Sequence, residues 1–168
     1  QYDTYTPIQI SQYINTIANG GTRYQPYLLK EVYEAPDNNE DKFGEKIYTQ
    51  EAVKLGTVDV ETKYMDRVKE GFRAVVEYGL GTGYMGNYRD IGAGKTGTSQ
   101  SFIDTDGDDM VDTETISTSF VGYAPYTDPK MSIVVISPDV ATANAETTSG
   151  INRRLSSEIV NKYFEFYK

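Results

Sequence analysis

Ala93-Gly94-Lys95-Thr96-Gly97-Thr98-Ser99-Gln100 is the stretch on which the reading of this chain turns. Taken alone, Lys95-Thr96-Gly97-Thr98 reads as a strand end running into a turn. Gly94-Lys95-Thr96 also matches the close of the phosphate-cradling pattern Gly-x-x-x-x-Gly-Lys-Thr, but that pattern needs glycine where this chain has Arg89. A phosphate loop opens a helix just past its Lys-Thr, so that helical N–H groups meet the phosphates. Here Gly97 and the acidic run from Asp104 follow instead, and the nucleotide reading is set aside.

Composition narrows the chemistry around that stretch. The 168 residues fit one domain, and 38% hydrophobic with 12% aromatic content suits a folded chain with a real core. With no cysteine there are no disulfides, zinc thiolates or thiol nucleophiles. With no histidine the usual general base and the usual transition-metal ligand are gone, which excludes a Ser-His-Asp hydrolase within this chain. A formal net charge of −9 argues against a nucleic-acid partner, whose phosphates are neutralised by Lys and Arg. No run of about 18 apolar residues offers a membrane span, and no basic-then-apolar leader stands at Gln1. The 15 tyrosines are scattered and read as packing rather than as a carbohydrate platform.

Working along the chain, Thr6-Pro7-Ile8-Gln9 predicts a helix start, with Thr6 as cap, Pro7 in the first turn and Gln9 closing a capping box. Ile10, Ile14, Ile17 and Ala18 share a face, and Asn19-Gly20-Gly21 ends the helix. Tyr24 to Tyr33 has strand character; a polar turn from Ala35 to Asp41 leads to an extended piece near Lys46 to Gln50, which together predict a surface hairpin. From Met65, apolar residues recur at Val68, Phe72, Val75 and Val76 with helical period until Gly79, and Tyr84 to Arg89 reads as a loop. Beyond the Lys95–Thr98 strand lie two clear strands, Ile116–Tyr123 and Met131–Ile136, joined tightly through Ala124–Pro129 as antiparallel neighbours. Ile133–Ile136 is apolar on both faces, as for a strand inside a covered sheet. A last helix carries Ile151, Leu155, Ile159 and Tyr163 at a spacing of four, with Phe166 near the same stripe, which predicts its buried face. The class is α+β, an antiparallel sheet packed by helices, with no internal repeat or domain boundary.

Several segments, in order, resemble the C-terminal portion of a class B (high-molecular-weight) penicillin-binding D,D-transpeptidase domain, a serine β-lactamase-like fold. Tyr5-Thr6-Pro7-Ile8-Gln9-Ile10 with Thr16-Ile17-Ala18-Asn19-Gly20-Gly21 is similar to that family's helix beginning "TPLQ" and ending "IANGG". Val68–Val76 followed by Gly81-Thr82-Gly83 resembles the helix and loop before its Lys-Thr-Gly strand, and Ser119–Pro125 resembles its next strand. Lys-Thr-Gly belongs there with a Ser-x-x-Lys nucleophile motif and a Ser-x-Asn motif. None of the ten lysines here has a serine three residues earlier.

The resemblance implies that residues 1–168 are part of a larger transpeptidase domain, cut after the nucleophile motifs, as the start at Gln1-Tyr2-Asp3 suggests. The implied partners are peptidoglycan stem peptides ending in D-Ala-D-Ala, β-lactams that mimic them, and the remaining half of the domain. The implied parent sits on the extracytoplasmic surface of a bacterium, anchored by an upstream helix. Lys95 would stand beside the absent serine, favouring its deprotonated form and attracting the substrate carboxylate. Thr96 and Thr98 would offer hydroxyls to that carboxylate, Gly97 would let the substrate backbone lie close, and the Thr98 N–H would serve as one oxyanion donor. The chain alone should be inactive, and its incomplete sheet and first helix should leave an apolar face uncovered. The alternative is a transpeptidase-like module that binds without catalysis.

Asp104-Thr105-Asp106-Gly107-Asp108-Asp109-Met110-Val111-Asp112 carries a second signal. Asp104, Asp106, Asp108 and Asp112 fall at relative positions 1, 3, 5 and 9, the spacing of a calcium loop. Glycine falls at position 4 rather than 6, and position 12 is Thr115 with Glu114 adjacent. The reading is a structural calcium bracing the loop beside the Lys-Thr-Gly strand; the alternative is a solvated acidic loop. No cofactor is required for serine acyl transfer. A dockerin-type calcium module, which needs duplicated loops on helices, is disfavoured by the single loop between strands.

Overall fold

The computed structural model describes residues 4–36, 43–78, 92–142 and 150–167. Helix α1 (Pro7–Ala18) begins as its sequence requires: the Thr6 side chain accepts from the Gln9 backbone N–H, and the Gln9 side chain accepts from the Thr6 N–H at 2.8 Å. Gly20 and Gly21, with φ of 82° and 112°, take the left-handed conformations that end it. Replacing Thr6 with Ala is expected to lower the stability of this chain by about 1 kcal/mol in a urea melt.

The region after α1 departs from the expected continuous strand. Only β1 (Thr22–Tyr24) and β2 (Glu31–Tyr33) are strand, and residues 25–30 between them are not. Pro26 has no N–H to give a ladder, and the chain instead turns to two different partners. β1 pairs with β4 (Lys54–Thr57), while β2 pairs antiparallel with β3 (Lys46–Thr49), so the expected hairpin forms between β2 and β3. Glu31 ties it, accepting from the Tyr33 hydroxyl at 2.7 Å and from Lys46 at 3.2 Å. Most of the expected turn, residues 37–41, lies outside the described residues, as do Gly79, Gly81–Gly83 and residues 84–89.

Helix α2 (Thr62–Tyr78) starts one turn earlier than its apolar period suggests. Met65 and Val76 are its buried residues, whereas Val68 is 43% exposed. β5 (Ala93–Ile103), β6 (Thr113–Ala124) and β7 (Met131–Thr142) then form an antiparallel sheet in the order β5-β6-β7. β6 is central; β7, expected inside the sheet, is an outer strand among the described residues. Its apolar run is nevertheless covered from both sides. Ile133 and Val135 pack with Phe120, Ala124, Val76 and Val160, while Val134 packs with Ile14, Ala18 and Tyr123. β7 also runs six residues past Ile136, through a register irregularity opposite Ile116–Thr118 where Asp139 takes a φ of 51°.

Helix α3 (Ile151–Phe166) lies on β6 and β7, but turned from its expected face. Asn152, Ser156 and Val160 are buried, with Phe164 packed against the core, while Ile151, Leu155 and Ile159 are 37–46% exposed. The physical reason is polar: Asn152 finds hydrogen-bond partners inside, and the small Ser156 lets the helix approach the sheet closely. An apolar stripe of α3 therefore faces outward. The α+β architecture read from the sequence is the observed one.

Candidate active site

β5 is an outer strand, paired on one side with β6 and with no second strand on its other side among the described residues. The register sets Lys95 opposite Val121, Thr96 opposite Phe120, Gly97 opposite Ser119 and Thr98 opposite Thr118. Alternation puts Thr96 and Thr98 on one face and Lys95 and Gly97 on the other. Lys95 and Thr98 are exposed, and Thr96 and Gly97 are half-buried. The Lys95 ammonium donates to the Thr96 carbonyl at 2.5 Å, leaving its charge at the surface of the strand.

The two glycines of this strand answer to different neighbours. A Cβ on Gly94 would meet Cζ of the buried Phe120 at 2.5 Å and the Val121 carbonyl oxygen at 2.7 Å. A Cβ on Gly97 would meet only the Ser119 side chain. The start of β5 is held from α2, where Arg73 donates from Nη1 to the Gly92 carbonyl at 2.8 Å and pairs through Nε with Glu77 at 3.4 Å. Arg73 was not singled out from the sequence. Its only signal was the i, i+4 spacing with Glu77 on the helix before the Lys-Thr-Gly strand.

The acidic loop sits elsewhere. Because β5 continues to Ile103, Asp104 lies six residues beyond Thr98, about 20 Å along an extended strand. It caps the far end of the β5–β6 hairpin. Asp104, Asp106 and Asp108 converge, each offering a carboxylate oxygen within 4.8 Å of the others. The Asp104 carboxylate accepts from the backbone N–H groups of Gly107 (2.7 Å), Asp109 (2.8 Å) and Asp106 (3.1 Å). These bonds, that from Gly107 foremost, hold its pKa below the ordinary value. Asp112 does not join them. Both of its oxygens accept from the Thr105 hydroxyl, at 2.8 and 2.7 Å, and this bond lowers its pKa.

Known proteins place this geometry in context. The profile of the penicillin binding protein transpeptidase domain matches residues 2–161. Penicillin-binding protein 2A of Bacillus subtilis is 37% identical over 165 residues, 98% of this chain and 23% of that protein. Penicillin-binding protein 2B of Streptococcus pneumoniae is 30% identical over 172 residues, 99% of this chain and 23% of that protein. A solved structure of penicillin-binding protein 2B from Streptococcus pneumoniae superposes with a TM-score of 0.74 at 28% identity, covering 99% of this chain and 26% of that one. The chain thus spans about a quarter of the length of these relatives. With its α+β layers and its Lys-Thr-Gly-Thr edge strand in the same order as its sequence motifs, it belongs to the penicillin-binding protein transpeptidase domain family, homologous to the class B proteins 2A and 2B.

Proposed function

We propose that β5 is the substrate strand of a peptidoglycan D,D-transpeptidase that cross-links stem peptides by serine acyl transfer and is acylated by β-lactams. The observation that carries this reading is Lys95-Thr96-Gly97-Thr98 on a strand with no second strand on its other side among the described residues, a side that can receive an extended peptide. Lys95 supplies positive charge where a serine must lose its proton and where the terminal carboxylate of D-Ala-D-Ala must be held. Thr96 and Thr98 offer hydroxyls to that carboxylate, Gly97 keeps the strand surface low, and the Thr98 N–H polarises the carbonyl under attack. The serine attacks that carbonyl, the terminal D-Ala leaves with the proton, and an amine of a second stem peptide resolves the acyl-enzyme.

The nucleophile is not in this chain, so the chain acts only with the rest of its domain. That remainder covers the outward stripe of α3 at Ile151, Leu155 and Ile159, and it carries the serine. The whole protein works outside the bacterial cytoplasmic membrane, where peptidoglycan is built, on an upstream anchor. Among the described residues no helix is long and apolar enough to cross a membrane.

Intact mass after exposure to benzylpenicillin tests the reading, on this chain and on the full-length protein that contains it. Adduct on the full-length protein alone is the expected result. Adduct on neither would replace the enzyme with a non-catalytic binding module, and adduct on the short chain would mean that the nucleophile lies within residues 1–168.

The convergence of Asp104, Asp106 and Asp108 supports a second, structural reading: this trio binds calcium at the hairpin tip, where hard carboxylate oxygens suit that ion. Calorimetric titration is expected to give a saturable heat with a Kd in the range of roughly 0.1–1 mM. Asp104→Asn with Asp106→Asn should abolish it, whereas Asp112→Asn should retain it. No heat at millimolar calcium would leave a solvated acidic loop.

A further inference from the structure

The polar group buried where α3 meets the sheet has a place in the proposed chemistry. Asn152 is 3% exposed, and both ends of its amide are used. Its Nδ2 donates to the Thr118 hydroxyl at 3.0 Å, and its Oδ1 accepts from the Ser137 hydroxyl at 2.5 Å. Thr118 is on the central strand β6, directly opposite Thr98 of the Lys-Thr-Gly-Thr strand, and Ser137 is directly opposite Thr118 on β7. Residues directly opposite in a ladder share a face. Thr98, Thr118 and Ser137 therefore form one row across the sheet, with Asn152 bonded to the second and third.

That row is where the sheet most needs support. The β6–β7 ladder loses its regular register between Ile116 and Thr118, where the Pro138-Asp139 segment bulges from β7. Asp139 is tied back by its own bonds, donating its N–H to the Ser117 hydroxyl at 3.1 Å and accepting from the Thr115 hydroxyl at 2.5 Å. β5, in turn, has only β6 as a strand neighbour among the described residues. The position of Thr98 is thus inherited from Thr118, and Asn152 fixes Thr118 at the point where the ladder gives it least.

We propose that Asn152 and Thr118 are positioning residues for acyl transfer, holding the Thr98 segment of β5 at the height its N–H and hydroxyl require. The inference rests on the reading of β5 as the substrate strand. It does not make either residue a substrate ligand: Asn152 is buried behind the sheet and acts through Thr118. Small displacements of an oxyanion donor cost rate well before they cost folding.

The test uses the full-length protein and the rate of acylation by a fluorescent penicillin, with a thermal melt on each variant. Thr118→Val removes the hydroxyl at nearly constant volume and is expected to slow acylation roughly tenfold. Asn152→Leu should do the same, and the double variant should be no slower than either single, because both cut one connection. Val160→Ala is the control: it opens the same α3–sheet core, so it should lower the melting temperature while acylation stays at the wild-type rate. If Asn152→Leu fails to fold, Thr118→Val against Val160→Ala decides alone. Acylation of Thr118→Val at the wild-type rate, or equal slowing in Val160→Ala, would overturn the proposal and leave the network as packing. Absence of acylation in the wild-type protein would instead overturn the transpeptidase reading, and this inference with it.

Discussion

Lys95→Ala in the full-length protein is expected to slow acylation by benzylpenicillin by a factor on the order of a thousand while leaving the melting temperature unchanged. The two halves of that expectation have separate grounds. Stability should hold because the Lys95 side chain is exposed and its ammonium meets a carbonyl of the neighbouring residue, so its removal opens no cavity. Rate should fall because a fixed charge aimed at developing negative charge typically supplies about 3 kcal/mol or more of transition-state stabilisation, a factor of 10² to 10³. In the proposed site the same charge would also hold the ligand carboxylate, so affinity should fall along with the chemical step. Lys95→Arg keeps the charge on a bulkier planar group and should recover only part of the rate. A Lys95→Ala protein acylated within threefold of wild type would remove Lys95 from the site and, with it, the observation on which the functional reading stands.

What the sequence made legible depended on whether a signal was local. The capping box at Thr6 and Gln9 involves residues three apart, and the helix begins where they say. The tight link after Ala124 forces neighbouring antiparallel strands, and β6 and β7 pair accordingly. Lys95-Thr96-Gly97-Thr98 was visible because the run is contiguous, and it lies on β5. The face of α3 was not. Ile151, Leu155 and Ile159 have the spacing of a core stripe, yet the buried line is Asn152, Ser156 and Val160. Apolar periodicity counts hydrophobic side chains and is blind to an asparagine whose partners lie 15 and 34 residues away. The strand read over Lys95–Thr98 is longer than its motif for a related reason: pairing of Ser99, Gln100 and Ser101 with Ser117, Ile116 and Thr115 carries β5 on to Ile103. That extension moves the acidic loop away from Lys95, which no reading of the loop itself could reveal. Asp112 fits a ligand spacing by number, and only the folded loop turns it toward Thr105.

The glycines of β5 give the second large effect, and they separate folding from function. Gly94→Ala is expected to destabilise this chain by about 2–3 kcal/mol, since overpacking a filled core forces side chains and backbone to shift. The added Cβ would lie 2.5 Å from the Phe120 ring and 2.7 Å from the Val121 carbonyl oxygen. Phe120 is fully buried among Val76, Ile133, Val135 and Val160, and the carbonyl belongs to the central strand, so neither can retreat cheaply. Gly97→Ala meets a different obstacle, the hydroxyl end of the Ser119 side chain, which a change of rotamer moves aside. Its stability cost should therefore stay below about 1 kcal/mol. The methyl would nevertheless stand on the strand against which the peptide is proposed to lie, and in the full-length protein acylation should fall at least tenfold, mostly through weaker binding. Urea melts and acylation rates measured on both variants decide the matter. A Gly97→Ala protein that melts like wild type and is acylated slowly would mark this residue as a surface for the ligand. Equal destabilisation of the two variants, with acylation of Gly97→Ala falling only in proportion to its unfolded fraction, would mean that both glycines serve the packing of β5 against β6.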